Sequence, residues 1–69
     1  MRTFDPGRVK QRRNRLKLTQ AELASRAGTA REYLVEIEKG RKVPKATTLA
    51  KIADALHVRV GYFVVERVS

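Results

Sequence analysis

The chain has 69 residues, enough for one small domain with a single core and too few for a separate catalytic lobe, because chains of this size bury only about 60% of their unfolded surface. It has no cysteine and one histidine, His57, which excludes disulfides and thiolate ligands and leaves too few ligands for a zinc site. The 16 Lys and Arg outnumber the 7 Asp and Glu for a formal charge of +9, a density that points to a polyanionic partner.

No apolar run approaches the roughly 20 residues of a membrane-spanning helix. The segment from Met1 to Pro6 lacks the apolar stretch of a secretory signal, so the expected location is the cytoplasm, with no membrane partner. A hydrophobic content of 42% is too high for a disordered basic tail, and the apolar residues recur at helical spacing. One folded helical domain over residues 1–69 is expected.

Asp5-Pro6 predicts a helix start, Asp as N-cap and Pro in the first turn, and the first helix runs over about residues 6–16. Its apolar residues are few, Val9 and Leu16, while Arg8, Lys10, Arg12, Arg13, Arg15 and Lys17 crowd the other faces, so it is stable only when packed. Thr19-Gln20-Ala21-Glu22 has capping-box spacing, which starts a second helix at Gln20 with Ala21, Leu23, Ala24 and Ala27 buried and Gly28 at its end. Thr29-Ala30-Arg31-Glu32 repeats that spacing and starts a third helix almost at once. Its inward stripe is Ala30, Leu34 and Ile37. The opposite face carries Arg31, Glu32, Val35 and Glu36, with Tyr33 to one side, until Gly40 ends the helix.

Residues Gly40 to Pro44 form a basic loop. A fourth helix fits Lys45 to Leu56, with Ala46, Leu49, Ile52, Ala53 and Leu56 on one face and His57 where it ends. The tail from Val58 to Val65 is rich in β-branched and aromatic residues, and composition leaves helix and strand both open. There are no internal repeats and no interior linker.

Two short helices separated by Gly28-Thr29-Ala30 have the layout of a helix-turn-helix, over about residues 20–39. The stretch from Leu18 to Ala24, then Ala27-Gly28, Ile37-Glu38-Lys39-Gly40-Arg41, Pro44, Leu49, Ile52, Ala53 and Leu56, resembles the lambda-repressor/Cro-type family, also called XRE. The likeness covers about residues 8–64. It implies an all-α fold, a compact bundle of four or five helices that binds duplex DNA, usually as a dimer and without a cofactor.

By that resemblance the third helix reads bases through Arg31, Glu32, Val35 and Glu36. A guanidinium fork can bond guanine O6 and N7 together, a contact worth about 1–3 kcal/mol of discrimination, while a carboxylate accepts from cytosine N4 and a valine meets a thymine methyl. The plain alternative is a solvated face with Glu36 balanced by Lys39. Gln20 matches a position that hydrogen-bonds a phosphate at a helix N-terminus, where dipole and free N–H groups favour an anion. Lys45, Arg41, Lys42 and Tyr33 are further backbone contacts on this reading, although a basic loop can also be simply solvated. Arg13 and Glu38 match a partly buried ion pair, which keeps Arg13 away from the bases. His57 replaces a common glycine, and Arg12 occupies an often apolar position where its stem must snorkel.

The function these residues support is a sequence-specific DNA-binding transcriptional regulator, most simply a repressor reading a palindromic operator as a homodimer. Tyr62, Val64 and Val65 supply the dimer surface in the tail 58–69, with Phe63 completing the core. The same tail could meet another protein, as in the DNA-binding antitoxin of a toxin-antitoxin pair, or the domain could head a longer regulator. Nonspecific nucleic-acid binding is a weaker reading, since stacking aromatics are few. An enzyme is weaker still, with no metal set, no phosphate-cradling glycine loop and no nucleophile beside a base.

Overall fold

Each predicted helix has its counterpart in the computed structural model, which describes residues 1–66. The helices are α1 (Pro6–Arg15), α2 (Gln20–Ala27), α3 (Arg31–Glu38) and α4 (Ala46–Ala55), framed by the short strands β1 (Arg2–Phe4) and β2 (Val64–Glu66). The observed fold is the expected helix-turn-helix bundle, with α3 packed on α1 and α2, and α2 on α4.

Two helices start with side-chain caps. The Asp5 carboxylate accepts from the Gly7 N–H at 3.0 Å. Thr19 and Glu22 close a reciprocal capping box, Glu22 N–H to Thr19 Oγ1 at 3.0 Å and Thr19 N–H to Glu22 Oε1 at 2.8 Å. The expected second box at Thr29 does not form. Ala30 is the N-cap of α3 and provides no side-chain cap, because the Thr29 N–H donates back to Ala24 O at 2.9 Å and makes Thr29 part of the end of α2. Lys45 likewise caps α4 without a side-chain bond.

All four helices end in one way, with a residue of positive φ followed by an N–H that reaches back five residues, the Schellman arrangement. Gly28 (φ 66°) and Gly40 (φ 78°) do this for α2 and α3, while Lys17 and His57 (both φ 58°) do it for α1 and α4. The long-reach bonds are Leu18 N–H to Arg13 O, Thr29 N–H to Ala24 O, Arg41 N–H to Glu36 O and Val58 N–H to Ala53 O, at 2.9–3.1 Å.

The core gathers Val9, Leu18, Leu23, Ala24, Ala27, Leu34, Ile37, Leu49, Ile52, Ala53, Leu56 and Phe63. Phe63 is fully buried, contributing about 1.5–3 kcal/mol by its removal from water. Ala21, Ala30 and Ala46, placed on buried faces by periodicity, are exposed. Each lies at the start of its helix, where Cβ tilts toward the N-terminus and away from the packed turns.

The tail resolves into a 3₁₀ turn, Val60–Phe63, followed by β2. β2 pairs antiparallel with β1 in the register Arg2↔Glu66, Thr3↔Val65, Phe4↔Val64, and the Asp5 N–H donates to Phe63 O at 2.7 Å. The β-branched pair Val64-Val65 thus finds its strand partner at the other end of the chain. Residues 67–69 of the expected dimer tail lie outside the described residues. Among the described residues no helix is long and apolar enough to cross a membrane.

Candidate nucleic-acid interface

The orientation of α3 follows from its two fully buried side chains, Leu34 and Ile37, which turn one face to the core. At about 100° per residue the opposite face consists of Arg31, Glu32, Val35 and Glu36. Arg31 and Glu32 are exposed; Val35 and Glu36 are half-buried. The first turn of α3 therefore projects a cation and an anion, and its second turn a methyl pair and a recessed carboxylate.

The far end of α3 is locked. Arg13 donates from Nε to Glu38 Oε2 at 2.7 Å and from Nη2 to Glu38 Oε1 at 3.0 Å, while its Nη1 donates to Leu18 O at 2.9 Å. Only 3% of the Glu38 side chain is exposed, so this bidentate pair is screened little by solvent. Gln20 joins the cluster, its Nε2 donating to Glu38 Oε1 at 3.1 Å. One carboxylate therefore ties α1, the start of α2 and the end of α3 together. The second N–H of the Gln20 amide remains as a donor at the N-terminus of α2, where free backbone N–H groups and the helix dipole also favour an anion. The family resemblance implied the Arg13–Glu38 pair, whereas the Gln20 link carried no signal in the sequence, since no local period connects positions 18 residues apart.

The loop after α3 presents Arg41, Lys42 and Lys45, all exposed, around Val43, a bare apolar side chain 72% exposed. Lys42 Nζ lies 5.8 Å from the centroid of the half-buried Tyr33 ring, a cation–π contact that holds both at the flank of α3. Arg41 Nη1 lies 3.7 Å from Glu36 Oε2, so Glu36 is balanced by Arg41 where spacing had offered Lys39.

Part of the charge of the first helix is spent inside the protomer. Arg8 donates to Tyr62 O at 3.0 Å and stacks 5.5 Å from the Tyr62 ring centroid, and Arg12 Nε donates to Leu56 O at 2.9 Å. Leu56 is the C-cap of α4, whose last carbonyls lack helical partners, so the Arg12 stem covers apolar surface while its head satisfies one of them. With Arg13 on Glu38, three arginines of α1 serve the fold. Tyr62, Val64 and Val65, expected at a dimer surface, are half-buried within the protomer, while Val60 beside them stands exposed.

Residues 9–63 match the family model described as Helix-turn-helix. The immunity repressor protein of Bacillus phage phi105 is 42% identical over 59 residues, which are 86% of this chain and 41% of that protein, so the chain spans less than half of its length. Among solved structures, the restriction-modification controller protein C.AhdI from Aeromonas hydrophila superposes with a TM-score of 0.82 at 26% identity, covering 84% of this chain and 88% of that one. SinR, the master regulator for biofilm formation, solved in complex with DNA, superposes with a TM-score of 0.79 at 34% identity, covering 83% of this chain and 95% of that one.

Proposed function

This chain belongs to the helix-turn-helix family of transcriptional regulators, and we propose that it is a repressor that reads a palindromic operator as a homodimer, with α3 in the major groove. The observation that carries the reading is the division of labour around α3. Its buried end is fixed by the Arg13–Glu38–Gln20 cluster, its outward face bears Arg31, Glu32, Val35 and Glu36, and exposed cations follow at once in the loop. In this reading those four residues meet base edges, and Gln20, Tyr33, Arg41, Lys42 and Lys45 hold the phosphates on either side.

Two-fold symmetry would place the two α3 helices about 34 Å apart, one turn of the duplex. Val60 and the exposed parts of Tyr62, Val64 and Val65 supply the apolar surface for the second copy. The deciding experiment is selection of random duplexes on the purified protein, with sedimentation of the complex to count subunits. Recovery of a palindromic motif bound by two copies supports the reading; equal affinity for selected and random duplex at every salt concentration overturns it.

A further inference from the structure

Two residues assigned to separate tasks, Glu36 to a base and Arg41 to a phosphate, sit together in the structure. Of the two acidic groups on the outward face of α3, Glu36 is the more covered: its side chain is 34% exposed, and its Oε2 is shut off from solvent and, among the described residues, has no hydrogen-bond partner. Its charge neighbour is Arg41 Nη1 at 3.7 Å, too far for a hydrogen bond. The backbone keeps the two side by side, because Gly40 at φ 78° turns the chain so that the Arg41 N–H donates to Glu36 O at 2.9 Å. The Arg41 side chain is 67% exposed and free to reach outward.

Resting on the DNA-reading proposal above, we infer that Glu36 and Arg41 act as one exchange unit, in which Arg41 covers Glu36 in the free protein and leaves it for a phosphate on the operator, making Arg41 a determinant of base specificity as well as of affinity. The physical basis is the shared cation. A phosphate and the Glu36 carboxylate compete for one guanidinium, and a phosphate offers the oxygens for hydrogen bonds that Glu36 at 3.7 Å does not make. Once Arg41 moves, Glu36 is an anion without a partner beside a polyanion. It then requires a donor, and in the major groove a base edge supplies one through the amino group of cytosine or adenine. A base pair turned so that guanine or thymine faces Glu36 offers it only acceptors, and so leaves Glu36 unpaired or holds Arg41 back from its phosphate. Either way the wrong base is penalised through Arg41, a residue that never touches a base.

The test uses the full chain and the operator obtained by selection, with every base pair varied in turn. Affinities are compared for the native protein, Glu36→Gln, Arg41→Ala and the double variant, with helical circular dichroism as the folding control. We expect Arg41→Ala to change base preference at the same base pair as Glu36→Gln, by about five- to hundredfold, the range of one lost base contact. The double-variant cycle should be non-additive by at least about threefold. A uniform loss for Arg41→Ala across all base pairs, additive with Glu36→Gln, would make Arg41 a plain phosphate contact and overturn the inference. If the native protein itself fails to distinguish operator from random duplex, the DNA-reading proposal falls first and this inference with it.

Discussion

The proposed function divides single side chains into those that read, those that grip and those that hold the fold. On the proposed function, Arg31→Ala should abolish discrimination between operator and random duplex, while Lys45→Ala should weaken both by the same factor; equilibrium binding to the two duplexes separates them. Lys17 and His57 offer a stability test of a different kind. Both hold φ 58°, a conformation that costs an L-residue about 1–2 kcal/mol and glycine far less. Lys17→Gly and His57→Gly should therefore each stabilise the fold by about 0.5–1 kcal/mol, read from urea midpoints, after glycine's larger loss of chain entropy is offset. His57 was legible as a position where glycine is common. Lys17 was not, because a lysine after a basic helix looks like more of that helix and nothing local marks the reversal.

At the scale of elements, caps and ties decide where helices begin and how they meet. Thr19→Ala removes the hydroxyl half of the box that starts α2 and should cost about 1 kcal/mol in chemical denaturation. Hydrogen bonds from Thr19, first from its backbone N–H and then from its hydroxyl, hold the Glu22 carboxyl below its ordinary range. A lowered folded-state pKa gives stability that is present above the unfolded pKa and lost as pH falls through the folded one. Denaturation midpoints of Glu22→Gln should accordingly fall less on acidification below about pH 4, the ordinary glutamate range, than those of the native chain. Glu38→Ala acts on three elements at once. It leaves the Arg13 guanidinium buried without its counter-charge and frees Gln20, so a loss of about 3–5 kcal/mol is expected, visible as a large drop in the thermal midpoint. The Thr19 box was readable because both partners lie within one turn. The false box at Thr29 had the same letters, and its failure came from Ala24, five residues earlier, which claims the Thr29 N–H.

Over the whole molecule, the net charge of +9 does not amount to nine contacts. Arg8, Arg12 and Arg13 are engaged inside the protomer, leaving Arg41, Lys42 and Lys45 as the loop cations beside α3. If those three neutralise phosphates, the logarithm of the binding constant should fall with the logarithm of salt concentration with a slope of about −3 per protomer; a slope near −8 would mean that nearly all the charge grips the duplex. The sequence by itself determined the helical class, the two glycine turns, the cap of α2 and most of the apolar stripe, because each is a short-range relation between residues within a turn or two of one another. Its charge pointed to a polyanionic partner. Tertiary structure alone decided which arginines are free, that Gln20 shares Glu38, that Arg41 folds back on Glu36 and that Val64-Val65 pair with Thr3 and Phe4. Those relations depend on where the chain returns in space. Residue type at one position is compatible with either outcome, and only packing selects between a guanidinium that satisfies an internal carbonyl and one that waits for a phosphate.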